Sequence, residues 1–294
     1  MKLHVGVGNG CGVCHAEEQW TPQNEKTETM RFKQTGWMVQ VAVIAVMVYV
    51  PVAGEAANTY FQVNSGNWTN PVNWTGGVPT AGNNAMIGRS DSGGVTPATC
   101  VVDTASQVCP ALYLASGAAT DRGVLNITAG DLTCSSAAYI GFKGTGIVNQ
   151  SSGYWDCQST IRIGEVAGSD GTITLSGSGV LTNRNVLYVG LLGNGTFNLN
   201  DSAALIRTAG TSYVPNSSGA TGVVDQTGGL WDNGNQELRI GPVAGAVGTV
   251  NLSGSGVLTN CGALYVGLAG SGTINLSDSA VFHRMGGHAY VPNG

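Results

Sequence analysis

The chain has 294 residues, 46 of them Gly and only 10% charged, with a formal net charge of −5. An ordinary globular domain is about 25% charged, so this composition points to a folded, turn-rich chain with a Ser, Thr and Asn surface. From residue 58 onward eight Lys or Arg stand against twelve Asp or Glu, without a basic cluster to neutralise phosphates, which excludes nucleic acid as a partner.

The first 57 residues read as an address label. Met30-Arg31-Phe32-Lys33 is a short basic segment, Trp37 to Val52 is apolar apart from Gln40, and Gly54-Glu55-Ala56-Ala57 supplies small residues for cleavage. This layout, residues 30–57, predicts a secretory signal peptide, and the apolar run is short for a membrane span. Residues 1–29 are polar and unlike the rest of the chain, so translation is expected to begin at Met30. They contain Cys11-Gly12-Val13-Cys14-His15, the pattern of covalent haem attachment. The motif precedes the export signal, so no haem, and no other cofactor or metal, is expected in the mature chain. The predicted location is secreted or at the cell surface.

Residues 58–99 are Trp-rich, with Trp68 and Trp74 six apart and a Gly-Gly-Val-Pro turn. A stack of strands needs a terminal cover, because its first edge invites aggregation. The segment is therefore predicted to be an N-terminal cap, with the two Trp rings closing an apolar bore. Sugar platforms are the alternative use of such rings.

Residues 100–294 carry a repeat. Tyr113, Tyr139, Arg162, Tyr188, Tyr213, Arg239, Tyr265 and Tyr290 follow one another at 26, 23, 26, 25, 26, 26 and 25 residues, each between small or branched apolar residues. A period in this range marks a repeat architecture. Three rungs form a larger unit: TITLSGSGVLTN at residue 172 returns as TVNLSGSGVLTN at 249. Each rung shows two or three short stretches alternating at period 2, and helical periodicity is absent after residue 57. Gly141, Gly164, Gly190, Gly241 and Gly267 follow the short Tyr or Arg stretches and permit tight corners. The fold class predicted is all-β: a single-stranded parallel β-helix of about eight rungs of 22–27 residues. Each strand would pair with its equivalent one rung up. Within Leu264-Tyr265-Val266 the flanking residues should face one way and Tyr the other.

Stacking makes other positions coincide. Cys134 and Cys157 fall at one place in adjacent rungs, where later rungs carry Asn183, Asn233 and Asn260. Stacked amides can form a hydrogen-bonded ladder, and stacked Cys134 and Cys157 come within disulfide reach. Cys100 and Cys109 are the other disulfide candidates. With Cys261 the count after residue 57 is five, so one thiol stays free or pairs between molecules.

The Trp-rich segment NSGNWTNPVNWTGGVPTAGNNAMIG ahead of Gly-rich rungs of the TINLSGSG type resembles bacterial surface proteins with autotransporter-associated β-strand repeats. It also resembles exported β-helix proteins bearing PEP-CTERM sorting signals. The likeness covers most of residues 60–294 and implies architecture more than activity. Such proteins usually finish with a membrane barrel or a sorting helix, whereas this chain stops part-way through a rung. The chain is therefore expected to be a fragment, with membrane contact only through the signal segment or a missing C-terminal anchor.

The functional expectation is a non-catalytic extracellular or cell-surface rod, adhesin-like, with polysaccharide or cell-surface glycans as possible partners. Two alternatives stand beside it. In one, the Tyr and Arg ladder stacks on sugar faces, with Arg162 and Arg239 adding donors. In the other, Glu165 and Asp170 beside Arg162, whose counterparts one block later are Pro242 and Val247, bind Ca²⁺ or are the acid and base of a polysaccharide lyase or hydrolase. His283 and His288, the only histidines after the signal segment, lie in the last rung and complete no recognisable catalytic motif.

Overall fold

The computed structural model describes residues 56–291. The export signal, apart from its last two residues, and the C-x-x-C-H motif lie outside the described residues. One turn shows the plan. A long strand, Asp170–Leu175, leads through a Gly-containing bend into a middle strand, Val180–Asn183, and then into a short strand, Leu187–Val189. The chain then corners at Gly190 (φ 86°) and begins the next long strand at Asn194. Repeated, this gives a parallel β-solenoid of about nine turns, and the only helical segment among the described residues is one 3-10 turn, Pro71–Asn73.

The long strands form one nine-stranded parallel sheet. The middle and short strands belong to a second, 16-stranded sheet, because Leu230–Ile240 and then Val257–Val266 run through both positions without a break. In the long-strand sheet the register from Arg122–Ile127 to Ser271–Leu276 is kept without a bulge.

Alternation decides which side chains enter the bore. Leu187 and Val189 are buried while Tyr188 between them is half-exposed, and the long strands repeat the same in-out pattern. In-register stacking then turns each inward position into a column. Leu125, Val148, Ile173, Phe197, Val224 and Val250 form one column, every member at most 1% exposed. Leu132, Trp155, Leu181, Leu205, Trp231 and Leu258 form another, with its two Trp rings one three-turn block apart. Burial of these columns away from water is the main drive for the fold.

The N-terminal segment does more than cap. Ala57–Tyr60 pairs in parallel with Asn83–Ile87, and Ser65–Asn67 pairs with Ala98–Val102, so residues 58–99 already form the first turns of the solenoid. Trp68 (0% exposed) and Trp74 (2%) do close the bore: their rings meet edge-on at 5.1 Å, and Phe61 packs against Trp74 at 5.0 Å. Rings so enclosed offer no face to a sugar.

A second glycine column carries as much of the fold as the corner glycines. Gly123, Gly146, Gly171, Gly195, Gly222, Gly248 and Gly272 share one inward register position at the start of the long strands. Here the end of a short strand passes directly beneath the next long strand. A Cβ at Gly171 would lie 2.2 Å from the Ile140 carbonyl oxygen, and one at Gly195 would lie 2.0 Å from the Gly190 nitrogen. Gly171→Ala should therefore destabilise the protein by about 2 kcal/mol or more, because backbone on both sides must move. Gly286→Ala, with nothing within 4 Å of the new methyl, should stay within about 0.5 kcal/mol of the parent. Urea unfolding of the two variants checks this, and equal midpoints would refute the close-approach account.

Candidate functional site

The Tyr and Arg residues fall into one register column on the outer surface of the short strands. It runs Tyr113, Tyr139, Arg162, Tyr188, Tyr213, Arg239, Tyr265, Tyr290. The column also continues towards the N-terminus through Met86 to Tyr60, two members that an extension of the same interval would have reached.

The rings lie on one another. Tyr113 and Tyr139 stack at 4.5 Å with planes 7° apart, and Tyr188 and Tyr213 stack at 5.2 Å and 14°. The Arg162 guanidinium lies 5.3 Å from the Tyr139 ring, and that of Arg239 sits between Tyr213 (5.7 Å) and Tyr265 (5.2 Å). Such contacts are attractive because the ring face is electron-rich. Their consequence is that Tyr139 and Tyr213 have both ring faces covered by ladder neighbours, and Tyr113, Tyr188 and Tyr265 one face each. Burial raises the Tyr113 phenol to about 12 and raises that of Tyr188, so both remain neutral donors at physiological pH.

Each ladder arginine brings its own counterion. Glu165 accepts from Arg162 at 2.9 Å, and Glu237 accepts from Arg239 at 2.7 Å. Asp170 is elsewhere: it opens a long strand, and its carboxylate accepts from Asn194 at 2.9 Å. The three residues expected to form an acid-base group are thus an ion pair and a separate surface Asp. Among the described residues no cluster of three or more His, Cys, Asp or Glu is arranged to hold a metal ion. His283 lies on an exposed strand with Nδ1 3.5 Å from the Thr259 hydroxyl, and His288 is exposed near the end of the described chain.

The cysteine and asparagine column is real but differs in membership. It reads Cys109, Cys134, Cys157, Asn183, Arg207, with Asn233 next in sequence register at the same 0% exposure. Asn260 does not extend it. A shift in register puts Cys261 inside instead, and Asn260 turns to bond Asp232 at 2.9 Å. Nor do the inward amides bond one another. Each donates to carbonyls of the corner loop: Asn183 to Ser159 at 2.7 Å and Asn233 to Gln236 at 2.6 Å. Arg207, 1% exposed, donates to Asn185, Ala209 and Gly210 carbonyls and to the Ser212 hydroxyl. The common requirement is a donor for inward-turned carbonyls, which explains why Cys, Asn and Arg share one position. Burial lowers the Arg207 guanidinium to about 9, and it stays charged at neutral pH. The amide ladder expected here occurs outside, on the long-strand sheet, where Asn149 bonds Asn126 and Asn275 bonds Asn251.

All five cysteines among the described residues are buried free thiols. Cys134 and Cys157 are register partners as expected, yet the close sulfur pair is Cys109 and Cys134, at 3.6 Å. Cys157 instead turns to the Ser136 and Ser159 carbonyls. Cys100 lies in the long-strand core column, between Gly66 and Leu125. Burial holds the Cys100 and Cys157 thiols above their ordinary range, and contact with Cys109 does so first for Cys134.

A cleft of about 550 Å³ opens beside the N-terminal end of the ladder, between Met86 and Tyr113 on one side and Phe142 and Lys143 on the other. Sequence reading missed it, although Lys143 and Arg89 stand out as cations in a cation-poor chain.

No protein-family model matches the chain, and no curated protein and no solved structure matches it either. Its function must be argued from its own geometry.

Two outcomes test the ladders as structure. Tyr188→Ala combined with Tyr265→Ala should cost about 2 kcal/mol in urea unfolding, at about 1 kcal/mol for each lost contact, while binding on a glycan array stays unchanged. Loss of glycan binding at unchanged stability would reverse that assignment. Arg207→Leu, which strands three loop carbonyls, should cost about 3 kcal/mol. Arg184→Leu, which removes the half-exposed bidentate partner of the buried Asp156, should lower the urea midpoint by less than Arg207→Leu does.

Proposed function

We propose that the chain is a non-catalytic, exported structural rod of the cell surface or extracellular space, adhesin-like and similar in plan to the autotransporter-associated and PEP-CTERM-sorted β-helix proteins it resembles. The observation that carries the reading is that the repeated surface side chains are spent on each other. Four ladder rings are stacked in two pairs, the ladder arginines have fixed counterions, and the outer asparagines bond along the axis. A surface so committed supplies stiffness and a low-charge coat. It leaves little for a unique catalytic constellation, which would need convergent groups of perturbed acidity. Ten strands of the ladder column, nine steps of about 4.8 Å, give a rod about 43 Å long.

The two alternatives have less behind them. Sugar stacking along the ladder needs free ring faces, and an acid-base pair needs Glu165 and Asp170 to face one substrate.

Cells producing the full chain provide the test. After fractionation, the protein should be found outside the cytoplasm and be susceptible to externally added protease. Purified protein should leave polyuronates and neutral polysaccharides uncut, as judged by new reducing ends and by absorbance of unsaturated uronates. Retention in the cytoplasm would sink the surface reading. Cleavage that disappears in Asp170→Ala or Glu165→Gln would replace the rod with an enzyme.

A further inference from the structure

The cleft at the N-terminal end of the ladder departs from the repeat in both shape and charge. In the next turn the positions of Phe142 and Lys143 are held by Glu165 and Val166, and later by Leu191 and Leu192 and by Leu268 and Ala269. Only here does the loop after a short strand carry an aromatic ring and a cation. Phe142 stands edge-on to both Tyr113 (5.7 Å) and Tyr139 (5.4 Å), bracing the stacked pair. Tyr139 covers one face of Tyr113. On the other side the ladder continues with Met86, a narrow flexible side chain instead of a ring, and both Met86 and Tyr113 line the cleft.

The charge is equally local. Arg89 and Lys143 both line the cleft and, among the described residues, no carboxylate lines it, on a chain whose net charge is −5. Arg89 is oriented by Asp91, which binds its Nε and one terminal nitrogen and leaves the other terminal nitrogen free to donate. Lys143 has a single long contact, 3.4 Å to the Gly117 carbonyl, so most of its donor capacity is unspent. The Asn58 amide and the Ser136 hydroxyl also line the wall. The wall itself is held by Asp121. Buried at 1% exposure, its carboxylate accepts from the backbone nitrogens of Ser90 (3.2 Å), Gly117 (2.9 Å) and Ala118 (2.9 Å), tying together the two loops beside the cleft. The two loops beside the cleft are therefore fixed before any ligand arrives, which lowers the ordering cost of binding.

We propose that this cleft binds a carboxylated sugar, a uronic acid residue of an acidic polysaccharide. The pyranose ring would lie against Tyr113, its carboxylate would reach Lys143 and Arg89, and its hydroxyls would meet Asn58 and Ser136. An aromatic face suits the C–H face of a sugar, and Lys143, which has no ion-pair partner among the described residues, together with the one free terminal nitrogen of the Asp91-paired Arg89, favours an anion over a neutral hexose. The site stands on the cleft alone and does not depend on the rod reading. It would give the rod one acidic-glycan contact near its N-terminal end, where the ladder has an interruption.

The test is titration calorimetry of the full chain with galacturonic acid trisaccharide and, separately, with its methyl ester. Saturable binding of the acid is expected, with the ester weaker by about tenfold or more, the loss of a charge-assisted contact. Lys143→Met should weaken the acid about tenfold and leave the ester unchanged. Tyr113→Leu should weaken both ligands, and Tyr265→Leu, remote from the cleft, should weaken neither. Thermal melting of each variant separates a lost site from a lost fold, so failure here leaves the rod reading untouched. Absence of saturable binding, equal affinity for acid and ester, or insensitivity to Lys143→Met would each overturn the proposal.

Discussion

Every turn of this protein lies on the one before it with its backbone hydrogen bonds in parallel register, and from that constraint the rest of the structure is derived. Strands so paired are about 4.8 Å apart and keep equivalent residues in line. A side chain then meets mainly its own counterpart in the turns above and below. Apolar residues facing inward become continuous columns, and outward residues become ladders. The constraint is unforgiving at the corners, where one strand passes beneath the next. There the chain must use glycine, since a single methyl would overlap a backbone oxygen or nitrogen.

Polar groups inside such a bore must be satisfied by the chain itself. The corner column shows how this is done with changing chemistry. Cysteine, asparagine and arginine occupy one register position because each can donate to loop carbonyls that turn inward. Gln150 and Gln226 play the same part at the far end of the long strands, each donating to two carbonyls at 3.0 Å. These residues resemble functional polar groups in a sequence, but their work is internal. The surface ladders follow the same economy, with stacked rings and paired arginines covering one another. A repeated surface of this kind confers rigidity. Its interruptions are where specificity can enter, and the cleft by Tyr113 is such an interruption.

Much of the architecture was legible before any coordinates. The interval between Tyr and Arg positions was enough for the solenoid, since only in-register stacking makes so constant a spacing useful. The alternation around Leu264-Tyr265-Val266 put Tyr outside, and the two Trp residues of the first turns were rightly placed in the bore. Other features were hidden for definite reasons. Asn260 and Cys261 could not be sorted, because the register against Leu230–Ile240 shifts at this point, and the shift decides which of them faces inward. The inward glycine column was overlooked, because Gly in a chain with 46 of them reads as turn material. Glu165 and Asp170 stand close in sequence, and which partner each takes, Arg162 for Glu165 and Asn194 for Asp170, was not legible there.

What the sequence determined alone was the period, and with it the class of fold, the three-turn duplication and the columns of like residues. These depend only on which residues recur at a fixed interval. The tertiary structure decided the orientation and occupancy of the surface groups: whether a Tyr ring presents its face or its edge, which sulfur approaches which, and where two cations share a cleft. Those outcomes depend on side-chain torsions and on loops packed across turns, and a linear spacing carries no information about either.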